Sequence, residues 1–502
     1  MGGRVEPAST LRGAPCGADG FTLPDRLLCL AAEQPGAPAL LDTEGAALSY
    51  EELLGLAAGM ASVLSGRLGL QPGGSVALAP LNKAEAVAAL YAAWLAGLEA
   101  VVVDAAGPAE DLEFQLSMRR PAVLLTHEGL EGRHCPAAER LGARCVGFEW
   151  LARAAREAPR PPPGGLARPR PWDVAVVYFY AGVAGRTLPV LHTHAGLAAS
   201  AAVTAAHYGL GPGDRSFASA PVSHALGLQI STLAALYAGA SAVLYTKRGR
   251  LDPRHAAEAL ASSAASIVLG APGFYQALLD AGYRGHRGLR YAVSAGAPLP
   301  RATQEQWLRA TGVELLQLYG MTEAAPLTAT LPGDNPAGSI GRPMPGVELR
   351  LVDPETLSGA GRGPGEALAR APHVMAGYGD PGATGEALLP GGWLRTGDIL
   401  EADEEGHLYF RGVRKRMLKY KGYPIFPRDI ELLLEQHPAV ARAEVYPVET
   451  PHGQAPGARL WLRPGARASA EEIMEWANRR LAGYKRIREV RVVATGGGEE
   501  GG

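Results

Sequence analysis

The sequence predicts an α/β protein built on parallel sheets, with a smaller α+β segment at its C-terminal end. Three observations carry that expectation. Helical and short, continuously apolar strand patterns alternate up to residue 342, the signature of βαβ units whose strands are covered on both faces. From Pro343 onward short strands with Gly and Pro turns replace them. A basic run at 411–421 then precedes a compact helix–strand–strand–helix pattern.

Taken in order, Tyr50–Arg67 reads as a helix, Ser75–Ala79 as a strand, Lys83–Leu98 as a helix and Ala100–Val103 as a buried strand. Ala122–Thr126 is a further short apolar run. The Pro/Arg-rich stretch APRPPPGGLARPRPW (158–172) reads as a domain linker or, the favoured reading, a surface loop between two stacked subdomains, the second of which opens with the strand Val174–Tyr180. Val347–Val352 and Glu366–Arg370 are strands of the later region. The last segment reads as helix Pro427–Gln436, strands Val440–Val448 and Ala458–Leu462, and helix Ala470–Leu481, and the tail 496–502 (GGGEEGG) as disordered.

At 502 residues the chain exceeds a single core, which predicts two to four domains. A hydrophobic share of 47% with 20% charged residues excludes general disorder. The 48 basic and 50 acidic residues leave a net charge of −2, which argues against a nucleic-acid or membrane-surface partner. The most apolar stretch, Ala86–Val103, is broken by Gly97 and Glu99 and spans no membrane. The N-terminus shows no basic start followed by an apolar run, so a cytoplasmic location is expected. Cys16, Cys29, Cys135 and Cys145 are too widely spaced for a zinc or redox motif and are expected to be buried free thiols. Lysine is scarce: Lys83, Lys247, Lys415, Lys419, Lys421 and Lys485 are all there are.

The strand–loop–helix at 174–203 is where a phosphate-cradling loop would sit, because such a loop needs glycines for close approach, hydroxyls and a lysine. Gly182 and Gly185 are present, but Ala181, Val183 and Ala184 carry no hydroxyl, so this loop alone is weak. It gains meaning from four further stretches in fixed order: LQLYGMTEAAP (316–326), GSIGRPMPG (338–346), GGWLRTGDIL (391–400) and GVRKRMLKYKGYPIFPRDIE (412–431). Together they resemble the adenylate-forming superfamily of acyl-CoA synthetases, peptide-synthetase adenylation domains and beetle luciferases, from about Leu48 to Lys485.

The resemblance implies a large N-terminal domain (1–411) of two α/β subdomains and a β-barrel. A hinge (412–416) carrying Lys415 and a small mobile α+β domain (417–495) would follow. It implies that Tyr319 stacks on adenine, that the Ser294–Pro298 turn with Gly296 and Ala297 lines the adenine pocket, and that Thr322, after Gly320, touches the α-phosphate. Glu323 matches the family's magnesium ligand, Asp398 would accept from both ribose hydroxyls, and His224 in PVSHALG (221–227) matches a position beside the reacting carbonyl. Lys419, Lys421, Gly422 and Tyr423 match the loop that lines the pantetheine tunnel of CoA ligases. Small residues at Val222–Gly227 and Ala295–Ala297 suggest room for a bulky acyl group.

The chain departs from the family pattern at three places. The phosphate loop reads Ala181, Gly182, Val183, Ala184, Gly185, Arg186, Thr187, Leu188, Pro189, without the hydroxyls and lysine of the cradle; Arg186 and Thr187 are its nearest substitutes. The arginine before the hinge is Val413, and no lysine occurs in the 17 residues after Lys485. These losses fall on ATP activation, whereas the matches fall on AMP and CoA. The leading expectation is therefore a non-adenylating homologue that converts a preformed acyl-adenylate and CoA into acyl-CoA and AMP, with ATP and magnesium unused. That resembles the thiolation half of the split ligase reaction in platensimycin-type pathways, which implies a diterpenoid acyl group and a separate adenylating homologue as partner. Retention of Glu323 speaks against it. The alternatives are a complete ATP-dependent acyl-CoA ligase with a rebuilt phosphate site, and a catalytically silent binding or scaffold protein.

Overall fold

A computed structural model describes residues 22–158, 166–180, 187–246, 251–414, 418–420, 423–425, 427–450, 453–481 and 483–493. The chain divides into two compact units, Met1–Leu349 with Ala369–Arg395, and Arg350–Leu368 with Thr396–Gly502. The sequence places the break at 411/412; the packing places it at 395/396 and adds the 350–368 segment to the second unit.

The first unit holds two mostly parallel sheets. Its strands in chain order are β1 (Pro38–Asp42), β2 (Ala47–Ser49), β3 (Ser75–Leu78), β4 (Glu99–Val102), β5 (Val123–Thr126), β6 (Arg144–Gly147), β7 (Val174–Tyr180) and β8 (Leu188–Thr193). Then come β9 (Arg215–Ala218), β10 (Ser241–Leu244), β11 (Ile267–Gly270), β12 (Tyr291–Ala295), β13 (Leu315–Met321), β14 (Ala324–Ala329) and β15 (Ser339–Pro343). Strands β16 (Glu348–Val352) and β17 (Gly365–Arg370) fall mainly in the second unit, and β18 (Gly377–Tyr378) and β19 (Leu388–Leu389) in the first. One sheet runs β18-β8-β7-β4-β3-β5-β6, and the other includes the run β14-β13-β12-β11-β9-β10-β1-β2. Pairs β3/β4, β3/β5, β5/β6, β9/β10, β9/β11, β11/β12 and β12/β13 are parallel. Outside the edge strand β6 their residues are mostly buried, as strands covered by helices on both faces must be.

Helix starts follow local chemistry. Thr22 with Asp25 and Ser49 with Glu52 form capping boxes for the helices Leu23–Glu33 and Tyr50–Ser62. Thr193 caps His194–Tyr208 through its side chain. Helix Ala84–Leu95 is buried nearly all round, so its apolar residues need no polar face. The expected helix Tyr50–Arg67 changes to π-helical winding at Val63–Arg67, and a second π-helical segment occupies Leu226–Leu233.

In the second unit β20 (Trp393–Ala402) pairs antiparallel with β21 (Leu408–Val413). Together with β16 and β17, these strands form the group for whose place in the chain the resemblance implies a barrel. A separate sheet contains β22 (Leu418–Tyr420), β23 (Tyr423–Ile425), β24 (Val440–Thr450) and β25 (Gly453–Leu462), with β26 (Glu489–Val493) parallel to β25. Helices Pro427–Glu435 and Ala470–Asn478 accompany that sheet, and Leu418, Ile425, Ile430, Leu434, Val440 and Ile473 are in its core.

The cysteine expectation is corrected. Cys135, on helix Glu131–Arg140, forms a disulfide with Cys145 on β6, and Cys29 is disulfide-bonded as well. No free thiol remains among the described residues. A ten-residue separation carries no motif, but the helix returns along the sheet and sets the two Cα atoms 5.3 Å apart. The tail 496–502 lies outside the described residues. Among the described residues no helix is long and apolar enough to cross a membrane.

Candidate functional site

In the second sheet of the first unit, the carboxyl ends of β9, β11, β12 and β13 face one way, because these strands are parallel neighbours. Ligands in open α/β sheets bind outside such ends. Of the sequence-predicted residues, the Ser294–Pro298 turn, Tyr319–Glu323 and His224 follow these strands. The register sets Ser294 opposite Gln317 and Ala295 opposite Leu318, so the Ser294–Pro298 turn leaves β12 beside Tyr319. Ser294 is buried and its Oγ has no partner, while Gly296, Ala297 and Pro298 are exposed. Gly296 has φ +81°, a left-handed conformation that a side chain would strain.

Tyr319 is half-buried against the core, and the β13/β14 register shifts between Tyr319 and Met321. A Cβ on Gly320 would stand 3.2 Å from Ala324 O, so glycine suits this close hairpin. Thr322 and Glu323 form the turn. The Thr322 carbonyl accepts from His192 Nε2 at 2.7 Å, and the Glu323 carbonyl from the Met375 N–H at 2.8 Å. Glu323 is fully buried; its Oε1 accepts from Tyr378 Oη at 2.6 Å and its Oε2 has no partner. Burial pushes the Glu323 carboxyl above the usual carboxylate range, against the opposing hydrogen bond from Tyr378.

His224 is exposed at the tip of the loop after β9. Asn82 holds that loop: its side-chain amide donates to Ala218 O and Ala220 O, and its Oδ1 accepts from Val222 N at 2.8 Å. Gly227 packs so closely that a Cβ would lie 2.1 Å from Pro221 O.

The second unit carries Asp398 on β20, half-buried, with its N–H donating to Thr396 Oγ1 at 3.1 Å. Val413, at the position of the missing arginine, stands opposite Asp398 in the β20/β21 register. The neighbouring Arg414 pairs with buried Glu366 at 3.5 Å. Lys419 lies on β22 opposite Pro424, and Tyr423 on β23 opposite Tyr420. Lys415, Lys421, Gly422 and loop residues 181–186, Arg186 included, lie outside the described residues.

The profile of AMP-binding enzymes matches residues 30–379, and that of the AMP-binding enzyme C-terminal domain matches 429–496. The chain belongs to the AMP-binding enzyme family. A 4-coumarate–CoA ligase-like protein of Oryza sativa subsp. japonica is 31% identical, over 91% of this chain and 81% of its own. The ATP-bound MatB of Rhodopseudomonas palustris superposes with a TM-score of 0.85 at 25% identity, covering 94% of this chain and 95% of that one. The o-succinylbenzoate CoA synthetase of Bacillus subtilis, solved with its acyl-adenylate intermediate, gives 0.82 at 25% identity, covering 93% and 94%.

This AMP-binding enzyme is thus an acyl-CoA ligase-like member of the adenylate-forming superfamily, for which CoA as co-substrate and AMP as product are expected. The sequence alone gave no reason to single out Asn82, His192 or Tyr378. Each acts on a partner 55 to 140 residues away, and only the paired histidines of LHTHAG (191–196) offered a hint. The unpartnered, buried Oε2 of Glu323 fits a one-point attachment for magnesium, which when bound neutralises phosphate charge. Glu323 would be the residue that holds the ion.

Proposed function

We propose that this AMP-binding enzyme performs the thioesterification half of an acyl-CoA ligase reaction. The CoA sulfur attacks the carbonyl of a preformed acyl-adenylate and a C–S bond forms. The C–O bond to phosphate breaks, AMP leaves with the electron pair, and the thiol proton passes to solvent. One observation carries the reading. The AMP-facing set Ser294, Tyr319, Thr322 and Asp398 is intact, while Ala181, Val183 and Ala184 replace loop hydroxyls, Leu188 stands at the lysine position and Val413 at the arginine position.

Adenylation must hold a triphosphate and stabilise a five-coordinate phosphorus, and each lost donor costs roughly 10²–10³ in rate. Thiol attack on a mixed anhydride needs mainly positioning and exclusion of water. Here Tyr319 and the Ser294–Pro298 turn hold adenine, Asp398 the ribose, and Thr322 the α-phosphate. The family resemblance assigns His224 the place beside the carbonyl, Lys419, Lys421, Gly422 and Tyr423 the thiol path, and Lys415 the hinge. The acyl group is a bulky, diterpenoid-like carboxylic acid, supplied by a separate adenylating homologue because free acyl-adenylates hydrolyse.

The free Oε2 of Glu323 favours a second reading, a complete ATP-dependent ligase. A paired assay separates them: ATP, magnesium and a carboxylic acid panel in one arm, synthetic acyl-adenylates in the other, both with CoA. Acyl-CoA in the second arm alone supports the half-reaction. Product in the first arm overturns it, and silence in both points to a binding protein.

A further inference from the structure

We propose that His192 is a positioning residue: its Nε2–H fixes the Thr322 carbonyl and thereby aims the Thr322 side chain at the α-phosphate. This rests on reading Thr322 as the residue that meets that phosphate. The turn that carries Thr322 is held to an unusual degree by groups foreign to its own hairpin. Thr322 O accepts from His192 Nε2, Glu323 O from Met375 N, Ala325 O from Ser200 Oγ at 2.6 Å, and Pro326 O from His373 Nε2 at 2.5 Å. Buried carbonyls need partners; here those of Thr322 and Glu323 in the turn and of Ala325 and Pro326 at the start of β14 all find theirs outside the hairpin.

One of these ties, and a further bond to the Glu323 side chain, come from one platform. Strands β8 and β18 pair antiparallel, Leu191 opposite Gly377 and Val190 opposite Tyr378. His192 and Tyr378 leave that edge together, the first to the Thr322 carbonyl, the second to the Glu323 carboxyl. The first sheet therefore grips the substrate turn of the second. His192 is 1% exposed and sits edge-on to Tyr178 at 5.8 Å, where an apolar side chain would fill the space without the cost of burying an imidazole. A carbonyl only accepts, so Nε2 carries the proton. Burial holds the ring's pKa down to about 4, which keeps it a neutral, fixed donor at neutral pH.

The test combines AMP titration calorimetry with kinetics on acyl-adenylate plus CoA. His192→Leu is expected to weaken AMP binding about tenfold, the worth of a buried carbonyl left unsatisfied. It should lower kcat on the order of 10–100-fold, the cost of slight misplacement, with KM for CoA within threefold. His192→Gln, whose amide reaches the same point, should recover AMP affinity to within threefold of the native protein, while His192→Asn, whose shorter amide does not, should stay impaired. If His192→Leu does not fold, the Gln and Asn pair carries the comparison. Native-like AMP affinity and kcat in Leu or Asn, or a Gln variant no better than Asn, overturns the proposal. Native protein that binds no AMP would instead sink the assignment of the site itself.

Discussion

The two sheets of the first unit wind alike and do different work. One contains the order β4-β3-β5-β6, the other β10-β9-β11-β12. In each, the chain steps to one side of its first strand and then crosses back past it. Crevices therefore open beyond the carboxyl ends, between β3 and β5 and between β9 and β11. The first crevice is closed by its own charges. Lys83 Nζ lies 3.2 Å from Glu44, 3.9 Å from Glu85 and 3.9 Å from Glu149, and Glu149 bonds His127 Nδ1 at 2.8 Å and the Glu128 N–H at 3.0 Å. One atom there, His127 Nε2, is buried without a partner. The second crevice leaves Ser223 Oγ, Ser294 Oγ and Glu323 Oε2 buried and unpartnered, with His224 and the Gly296–Pro298 turn exposed around them. Winding supplies the crevice; unmet hydrogen-bonding capacity decides which one is a site.

The sharpest way to break that contrast is to remove one polar group from each crevice. Thr322→Val or Tyr319→Ala should lower kcat/KM on acyl-adenylate by about 10²–10³. Lys83→Met should leave kcat within threefold and register in thermal stability. Equal losses in both would show that the first crevice also meets substrate.

Acid should separate the two regions next. Burial lowers His192 and His194 to about 4 and lowers His207 and His373 too. The folded protein holds these rings neutral while the unfolded chain protonates near 6.5. Their stability is thus complete above that value and drains away as pH falls toward 4, on the order of 3 kcal/mol for a fully buried ring. Burial raises the Glu149 carboxyl, but hydrogen bonds from His127 and the Glu128 N–H outweigh it and hold it at about 2. Its contribution therefore survives until pH drops below 4.5 and is lost toward 2. Urea midpoints at pH 7, 5.5 and 4 should fall steadily, and His192→Gln should flatten that slope.

Much of this was legible in the sequence because it is local. Short apolar runs gave β3, β4, β5 and β7 to within a residue or so, and LQLYGMTEAAP singled out Tyr319, Thr322 and Glu323, which the structure sets on one hairpin. What stayed hidden is non-local. Nothing near His192 announces a bond to residue 322, nothing near Asn82 announces the loop after β9, and the β1/β2 hairpin of Pro38–Ser49 lacks a strong alternating pattern.

The Cys135–Cys145 disulfide is the first sheet's other closure. A loop of this length is worth about 2–3 kcal/mol on chain entropy. The Cys135→Ser/Cys145→Ser double variant should lose that much stability in urea with kcat unchanged, since neither sulfur lies at the second crevice. A fall in kcat would mean that the two sheets are coupled more tightly than their separate roles suggest.

The smallest effect should come from Glu149→Gln, and its smallness is the point. The charge network is redundant: Lys83 keeps Glu44 and Glu85, the glutamine oxygen replaces the carboxylate oxygen that accepts from the Glu128 N–H, and its amide N–H donates to His127 Nδ1 in the ring's other tautomer. Only the charge-assisted part of those bonds is lost, about 1 kcal/mol. The variant should therefore unfold slightly earlier at pH 7, turn over acyl-adenylate at the native rate, and lose the stability change that the native protein shows between pH 4.5 and 2. A loss above about 3 kcal/mol would instead mean that Glu149 anchors an otherwise uncompensated buried charge. The first crevice would then be held by one ion pair, not by a shared network.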